Sequence, residues 1–319
     1  MTTFNSSVPP PRISAPAQGH FSGHETFVLR AAWLKKGYDL LCTDPSLFAA
    51  PDAYVRLGVG KNMAQSIRHW LRVTGVAVRD PQQPTRLTPT VLGHQLLADD
   101  GWDPFLTTPL AAWLLHWQLT SQPSTAFTWY YTFNLLRGSE WTSTHLVRAL
   151  ADACRERDWS VPADTTLTRD VTCMQQCYVR PRRAAPLLDE PLLCPLLDLG
   201  IMHAIPGQSS SYRLTVGDHA ELPDTLLAYT IQQLFARRTQ QTLPLSELAY
   251  APGHPGRVFC LTADALLARL YHLDALTDGA IRFSDQAGIR HVVWHAVDAP
   301  ASAPYRFLAH GFAAEVGSR

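Results

Sequence analysis

Little of this chain's chemistry is announced by a signature. It has no GxxxxGK[ST] loop, no GxGxxG after a strand and no HExxH. No nucleotide cofactor is therefore expected, and the chain should not itself hydrolyse ATP. Excess charge is also missing. Lys and Arg total 27 against 27 for Asp and Glu, and charged residues are only 17% of the 319 residues. That excludes a coat that grips nucleic acid over its whole surface, although one local basic face survives the count. No apolar run reaches the roughly 20 residues of a membrane span. The opening MTTFNSSVPPPRISAPAQ is Ser- and Pro-rich rather than a signal peptide. The six cysteines (Cys42, Cys154, Cys173, Cys177, Cys194, Cys260) are scattered. They read as free thiols in a reducing compartment, so the expectation is a cytoplasmic protein without a membrane partner.

What is present is apolar bulk: 46% hydrophobic residues and nine tryptophans, enough for two or three domains with real cores. The fold class expected is α+β, mainly α, with winged helix-turn-helix units at both ends and a helical middle. Residues 1–18 read as a disordered or extended tail and 19–105 as a winged-helix DNA-binding domain. Residues 106–240 read as the helical middle and 241–319 as a second winged-helix-like domain. In the first of these, a helix is predicted over Glu25–Lys36 with Gly37 as its C-cap. A short helix at Asp52–Leu57, the turn GVGKN, a helix over Lys61–Thr74 and strands near Val76–Val78 and Arg86–Thr88 give the winged-helix order. A further helix covers Thr90–Ala98. Downstream, helices are predicted over Gly101–Thr120, Phe127–Leu136, Thr144–Cys154, Leu167–Tyr178 and Leu192–Ile205, with a strand at Tyr212–Leu214. The last part offers helices at Leu245–Tyr250, Pro255–Cys260 and Thr262–Leu276, then strands at Ile281–Phe283 and Ile289–Trp294.

A winged helix reads DNA with its second helix. On Lys61–Arg72 the positions expected to face outward are Lys61, Asn62, Gln65, Arg68, His69 and Arg72. Asn and Gln match adenine edges and Arg matches guanine. Arg79 and Arg86, on the wing strands, would hold phosphates and fix register. Lys35 and Lys36 would neutralise further phosphate charge. The competing reading is an amphipathic helix with a solvated face.

Four segments then acquire a joint meaning: FSGHETFVLRAAWLKKG (21–37), RLGVGKNMAQSIRHWL (56–71), GWDPFL with AAWLLHWQLT (101–106 and 111–120) and TDGAIRFSDQAGIR (277–290). Together, and in this order, they resemble a bacterial domain family associated with the SspB component of single-strand DNA phosphorothioation systems. The resemblance implies double-stranded DNA as partner. It also implies work beside a cysteine desulfurase, a sulfur-transferring ATP pyrophosphatase and an ATPase, with nicking of DNA as this component's part.

Nicking needs a nucleophile or a metal-activated water, so Mg²⁺ or Mn²⁺ is the cofactor to expect. His24 fits a general base or metal ligand, and Glu25 a carboxylate ligand. Ser22 and Glu25 also fit a capping box, S-x-x-E, which accounts for both without catalysis and is preferred for them. Asp170 is a second candidate ligand and Tyr178 a candidate nucleophile. Their plainer reading is an Arg169–Asp170 surface pair and a core tyrosine. Cys173, Cys177, Cys194 and His203 provide a single C-x₃-C pair, so buried thiols are favoured over zinc. The arginines of RPRRAAP (180–186) could touch a backbone or simply be solvated. Trp113, Trp117, Trp129, Tyr130 and Tyr131 read as core rather than base-stacking platforms. Two rivals to a nickase stay open: a non-catalytic DNA-binding adaptor, and a winged-helix regulator of a defence operon acting as a homodimer on a palindrome.

Overall fold

The computed structural model describes residues 18–180, 194–286, 288–295 and 304–317. The expected tail, apart from Gln18, and the RPRRAAP loop after Arg180 lie outside them. The class is α+β: about half the chain is helical, with small antiparallel sheets. The chain folds as two compact units, residues 17–215 and the residues from 216 onward. Among the described residues no helix is long and apolar enough to cross a membrane.

The first unit opens with a loop rather than the helix predicted from Glu25. Ser22, Gly23, Glu25 and Thr26 have φ of 61°, 91°, 51° and 68°. These left-handed positions cannot continue an α-helix. Arg30 is still extended, and helix α1 begins only at Ala31 (Ala31–Thr43). Ser22 and Glu25 therefore form no capping box. α1 buries Trp33, Leu34, Tyr38 and Leu41. Gly37, expected as its C-cap, sits inside it for a packing reason. A Cβ there would lie 2.7 Å from a Leu71 methyl and 2.8 Å from an Ile67 methyl of helix α3. Gly37→Ala is accordingly expected to cost about 1–3 kcal/mol in urea unfolding, the usual range for overpacking; a variant as stable as the parent would show that α1 and α3 are not closely apposed.

A 3₁₀ turn at Leu47–Ala49 and helix α2 (Ala53–Arg56) lead into α3 (Lys61–Val73). Strands β1 (Ala77–Arg79) and β2 (Leu87–Pro89) pair antiparallel, Val78 opposite Thr88. Helix α4 (Val91–Leu97) starts on the Thr90 hydroxyl, which accepts the Gly93 N–H at 2.9 Å and donates to the Gly75 carbonyl at 2.6 Å. The predicted helix from Gly101 begins late, as α5 (Pro109–Thr120). The Asp103 carboxylate explains the delay: it accepts the N–H groups of Thr107 (3.0 Å) and Thr108 (2.8 Å), and Leu106 has φ 55°. α5 is apolar all round and almost wholly buried, which makes it the unit's central helix.

Helix α6 (Phe127–Asn134) follows, then strand β3 (Glu140–Thr142), helices α7 (Ser143–Arg155) and α8 (Asp164–Tyr178), a 3₁₀ turn at Pro195–Leu199, and strands β4 (Met202–Ala204) and β5 (Ser211–Leu214). The sheet order is β3-β5-β4, all antiparallel. The middle of the chain therefore carries a sheet of which the sequence revealed one strand, the predicted Tyr212–Leu214. Its strands are three or four residues long, too short for alternation to register. Gly200, left-handed at φ 61°, breaks the helix predicted over Leu192–Ile205 and lets β4 start.

The second unit centres on helix α9 (Asp224–Phe235), buried on most sides. Strand β6 (Thr242–Pro244) and helices α10 (Leu245–Tyr250), α11 (Pro255–Val258), α12 (Ala263–Leu270) and α13 (Leu273–Leu276) precede a hairpin of β7 (Ile281–Gln286) and β8 (Ile289–Trp294), and α14 (Arg306–Gly317) packs back on α9. The sheet order is β6-β8-β7. The single helix predicted over Thr262–Leu276 is divided at Tyr271–His272, where the Tyr271 ring turns to meet Phe283 edge-on at 5.0 Å.

Candidate functional site

The loop at residues 20–27 owes its shape to Asp170 on α8. One Asp170 oxygen accepts the Ser22 N–H at 2.7 Å and lies 2.8 Å from His24 Nε2; the other accepts the Thr128 hydroxyl. His24 Nδ1 accepts the Thr26 N–H at 3.1 Å. A nitrogen that accepts on this side leaves Nε2 to donate toward the carboxylate. The Phe27 carbonyl is held by Trp70 Nε1 at 3.1 Å and by the Cys173 thiol at 3.4 Å. His24 and Asp170 are each only 2% exposed, boxed in by the rings of His69, Trp70 and Trp129. The structure thus brings two of the three candidate catalytic residues together, but as a buried, mutually satisfied pair. Their donor atoms are taken by protein groups, so they do not fit a metal. Asp170 pairs with His24 and not with its exposed neighbour Arg169. Tyr178 is a core residue, its hydroxyl 2.8 Å from His116 Nδ1.

Beside this loop lies a cavity of about 610 Å³. Lys61, Gln65, Arg68 and Arg72, four positions on one face of α3, contribute to its wall, with Arg79 from β1 and His20 and Glu25 from the loop. Gly23 also lines it; a Cβ there would fall 2.6 Å from His69 Nδ1, so only glycine lets the loop close over that histidine. The electrostatics are lopsided. Arg68, Arg72 and Arg79 take part in no ion pair among the described residues. Burial, then mutual repulsion with Arg79, lowers the pKa of Arg68 and Arg72 from the ordinary arginine value. His20 is lowered by burial and then by Arg72. His69 is pushed well below the histidine range, by burial first and then by His24, His20 and Arg72. Three guanidinium groups and Lys61 outnumber the single lining carboxylate, Glu25, and make a net positive field, the setting in which an anion is bound.

His69 needs correction. Expected to face outward, it is 5% exposed and stacks with His20 at 6.1 Å, and its Nε2 is buried without a hydrogen-bond partner. It occupies the inner side of α3, next to Trp70. Lys61, Asn62 and Gln65 are exposed and Arg68 and Arg72 half-buried. Lys35 is already engaged by Asp39 at 2.6 Å and Asp99 at 2.7 Å. Lys36 is exposed, 3.4 Å from the Leu57 carbonyl, and Arg86 is exposed; none of these three lines the cavity. Glu25 is its one lining carboxylate among the described residues. Cys173, Cys177 and Cys194 are buried, and burial raises the Cys173 and Cys194 thiols; the exposed His203 bonds the Gly200 carbonyl at 2.7 Å. Trp113, Trp117 and Trp129 are core residues. Sequence reasoning missed His20, Phe48 and Tyr54 as cavity residues. The i,i+4 spacing of Arg68 and Arg72 was a signal, whereas nothing local marks His20.

Comparison with known proteins gives the lineage. The family described as a protein of unknown function, DUF4007, matches residues 21–309. No curated protein matches. Two crystal structures, one of SspB and one of magnesium ion-bound SspB, each superpose with a TM-score of 0.81 at 30% identity, over 92% of this chain and 87% of theirs. By sequence and by fold, the chain belongs to the DUF4007 family and is an SspB-like protein.

Proposed function

We propose that this protein binds double-stranded DNA with the cations of the cavity and of α3, and nicks it within a DNA phosphorothioate modification system. The observation that carries the reading is the group of Arg68, Arg72 and Arg79 around one cavity with no carboxylate partner. An internal ion pair would have stabilised the folded state, and leaving three guanidiniums without one makes sense where a phosphate completes the site. The strand orders β3-β5-β4 and β6-β8-β7, each with helices between its first two strands, support reading both as winged-helix units, with α3 and the β1–β2 hairpin as a smaller version. In this reading Asn62 and Gln65, exposed near the start of α3, would read bases while the arginines hold the backbone.

The magnesium belongs to the solved relative; among the described residues no group of three or more His, Cys, Asp or Glu could hold a metal, and the cavity offers such an ion one carboxylate. Mg²⁺ is commonly held by one or two carboxylates together with substrate phosphates and waters, and Glu25 is a carboxylate beside the arginines. When bound, the ion supplies charge neutralisation at the phosphoryl group and acidifies a water. Glu25 would hold it, and Arg68 and Arg72 would orient the phosphate. His24 and Asp170 would keep the loop that carries Glu25 in shape. Their withdrawal from the cavity also favours a second reading, an adaptor that positions DNA for the desulfurase, pyrophosphatase and ATPase partners without cutting it.

Supercoiled plasmid distinguishes the two. With Mg²⁺ or Mn²⁺ the parent is expected to yield open circles. EDTA should stop the reaction, and Glu25→Gln should lower the rate at least about a hundredfold, a usual scale for loss of metal assistance, while DNA binding persists. If binding occurs and open circles never form, the nickase reading falls and the adaptor, or a homodimeric regulator, replaces it.

A further inference from the structure

We infer that the cavity holds a single nucleotide drawn out of the DNA stack, its phosphate on the arginines and its base against Phe48 and Tyr54. The inference rests on the DNA-binding reading above and deepens it. Two observations converge. The first is size: about 610 Å³ is far more than a phosphate group occupies and lies within the range of pockets that enclose small organic ligands. The second is the division of the wall by chain segment. The stretch from Phe48 to Tyr54 contributes Phe48, Ala50, Pro51, Ala53 and Tyr54, whereas α3 and β1 contribute Lys61, Arg68, Arg72 and Arg79. The two sets meet where Lys61 Nζ lies over the Tyr54 ring at 5.3 Å, and a wall that joins aromatic rings to cations matches a nucleotide, which has a flat π-faced base at one end and an anion at the other.

A stacked duplex cannot satisfy this arrangement. Its bases are covered on both faces, and only its backbone reaches a recess. An extrahelical or unpaired nucleotide presents the required face, and the energy needed to expose it is least where pairing is already broken.

Fluorescence anisotropy with the full chain tests this, using a matched duplex, the same duplex with one T·T mismatch, and free deoxyadenosine monophosphate as competitor. The parent is expected to bind the mismatched duplex roughly tenfold more tightly. Ala50→Trp, which adds bulk to the cavity wall and leaves every cation in the sequence, and Tyr54→Ala should both abolish that preference while binding remains salt-dependent. Equal affinity of the parent for the two duplexes overturns the inference and leaves DNA binding intact. A mismatch preference that survives in Ala50→Trp also overturns it, because the preference then comes from duplex flexibility. Tight binding of the free monophosphate without any mismatch preference assigns the cavity to a free nucleotide and overturns the extrahelical reading. Failure of the parent to bind any duplex removes the DNA-binding reading itself.

Discussion

Asp170→Ala unfolds at markedly lower urea than the parent, with a loss of about 2–5 kcal/mol, from two buried donors left unsatisfied at about 1–3 kcal/mol each. The size follows from what the carboxylate does. It accepts from the Ser22 N–H, the His24 ring and the Thr128 hydroxyl at once, and two of those donors are buried where water does not replace it. Asp170→Asn preserves volume but presents an amide N–H₂ where the carboxylate only accepted, so its stability falls between the two. Trp70 and Trp129 lie about 6 Å from the His24 ring, so tryptophan emission during unfolding reports on this region. Parent-like stability of Asp170→Ala would mean that the loop holds its shape by other contacts. The reading of Asp170 as a structural pin would then be abandoned.

The double variant Arg68→Ala, Arg72→Ala loses DNA affinity at every sequence tested, and its dependence on salt becomes shallower. Each phosphate neutralised contributes about −0.9 to the slope of log K against log salt, so losing two contacts flattens the slope by roughly two. The effect is uniform across sequences because phosphates carry no base information, whereas Asn62→Ala or Gln65→Ala alters preference between sequences. Stability should move the opposite way. The two guanidiniums repel each other and Arg79 without an internal partner, so the double variant is expected to be at least as resistant to urea as the parent. Sites that stabilise a ligand at the expense of the free fold commonly show this trade. An unchanged salt slope would remove these arginines from the interface.

Much of the first unit was legible from local pattern. Lys61–Val73 has strong helical periodicity between a glycine turn and Gly75, and the structure forms it within one residue of expectation. The turns are where the sequence misled. Ser22 and Glu25 have the spacing of a capping box, and only a partner 148 residues away, Asp170, shows why the chain turns left-handed there instead. Gly37 illustrates the same limit: glycine at a helix end and glycine under a crossing helix look identical in one dimension. His69 was misplaced because a polar residue on a helix is expected to face water, whereas here it completes an aromatic box around His24. Strands β3, β4 and β6 draw their stability from pairing between distant segments and so leave little periodicity to read, whereas β5 and the β7–β8 hairpin were legible. Arg68 and Arg72 were legible as a pair of like charges one turn apart, although the cavity they line was not.

The arrangement at Asp170 also bears on the order of assembly. The wall that carries Glu25 and Gly23 is shaped by hydrogen bonds to Asp170, which the Thr128 hydroxyl holds in turn, and by the ring of Trp129, all far along the chain. A fragment ending near residue 105 would contain α3 and its cations but not the groups that fold the loop against them. The basic face is thus local in sequence, whereas the enclosure around it requires distant segments to meet, which is the slower step of folding. A growing chain would expose the cationic helix before it possessed the cavity, which would be complete only once α6 and α8 had docked.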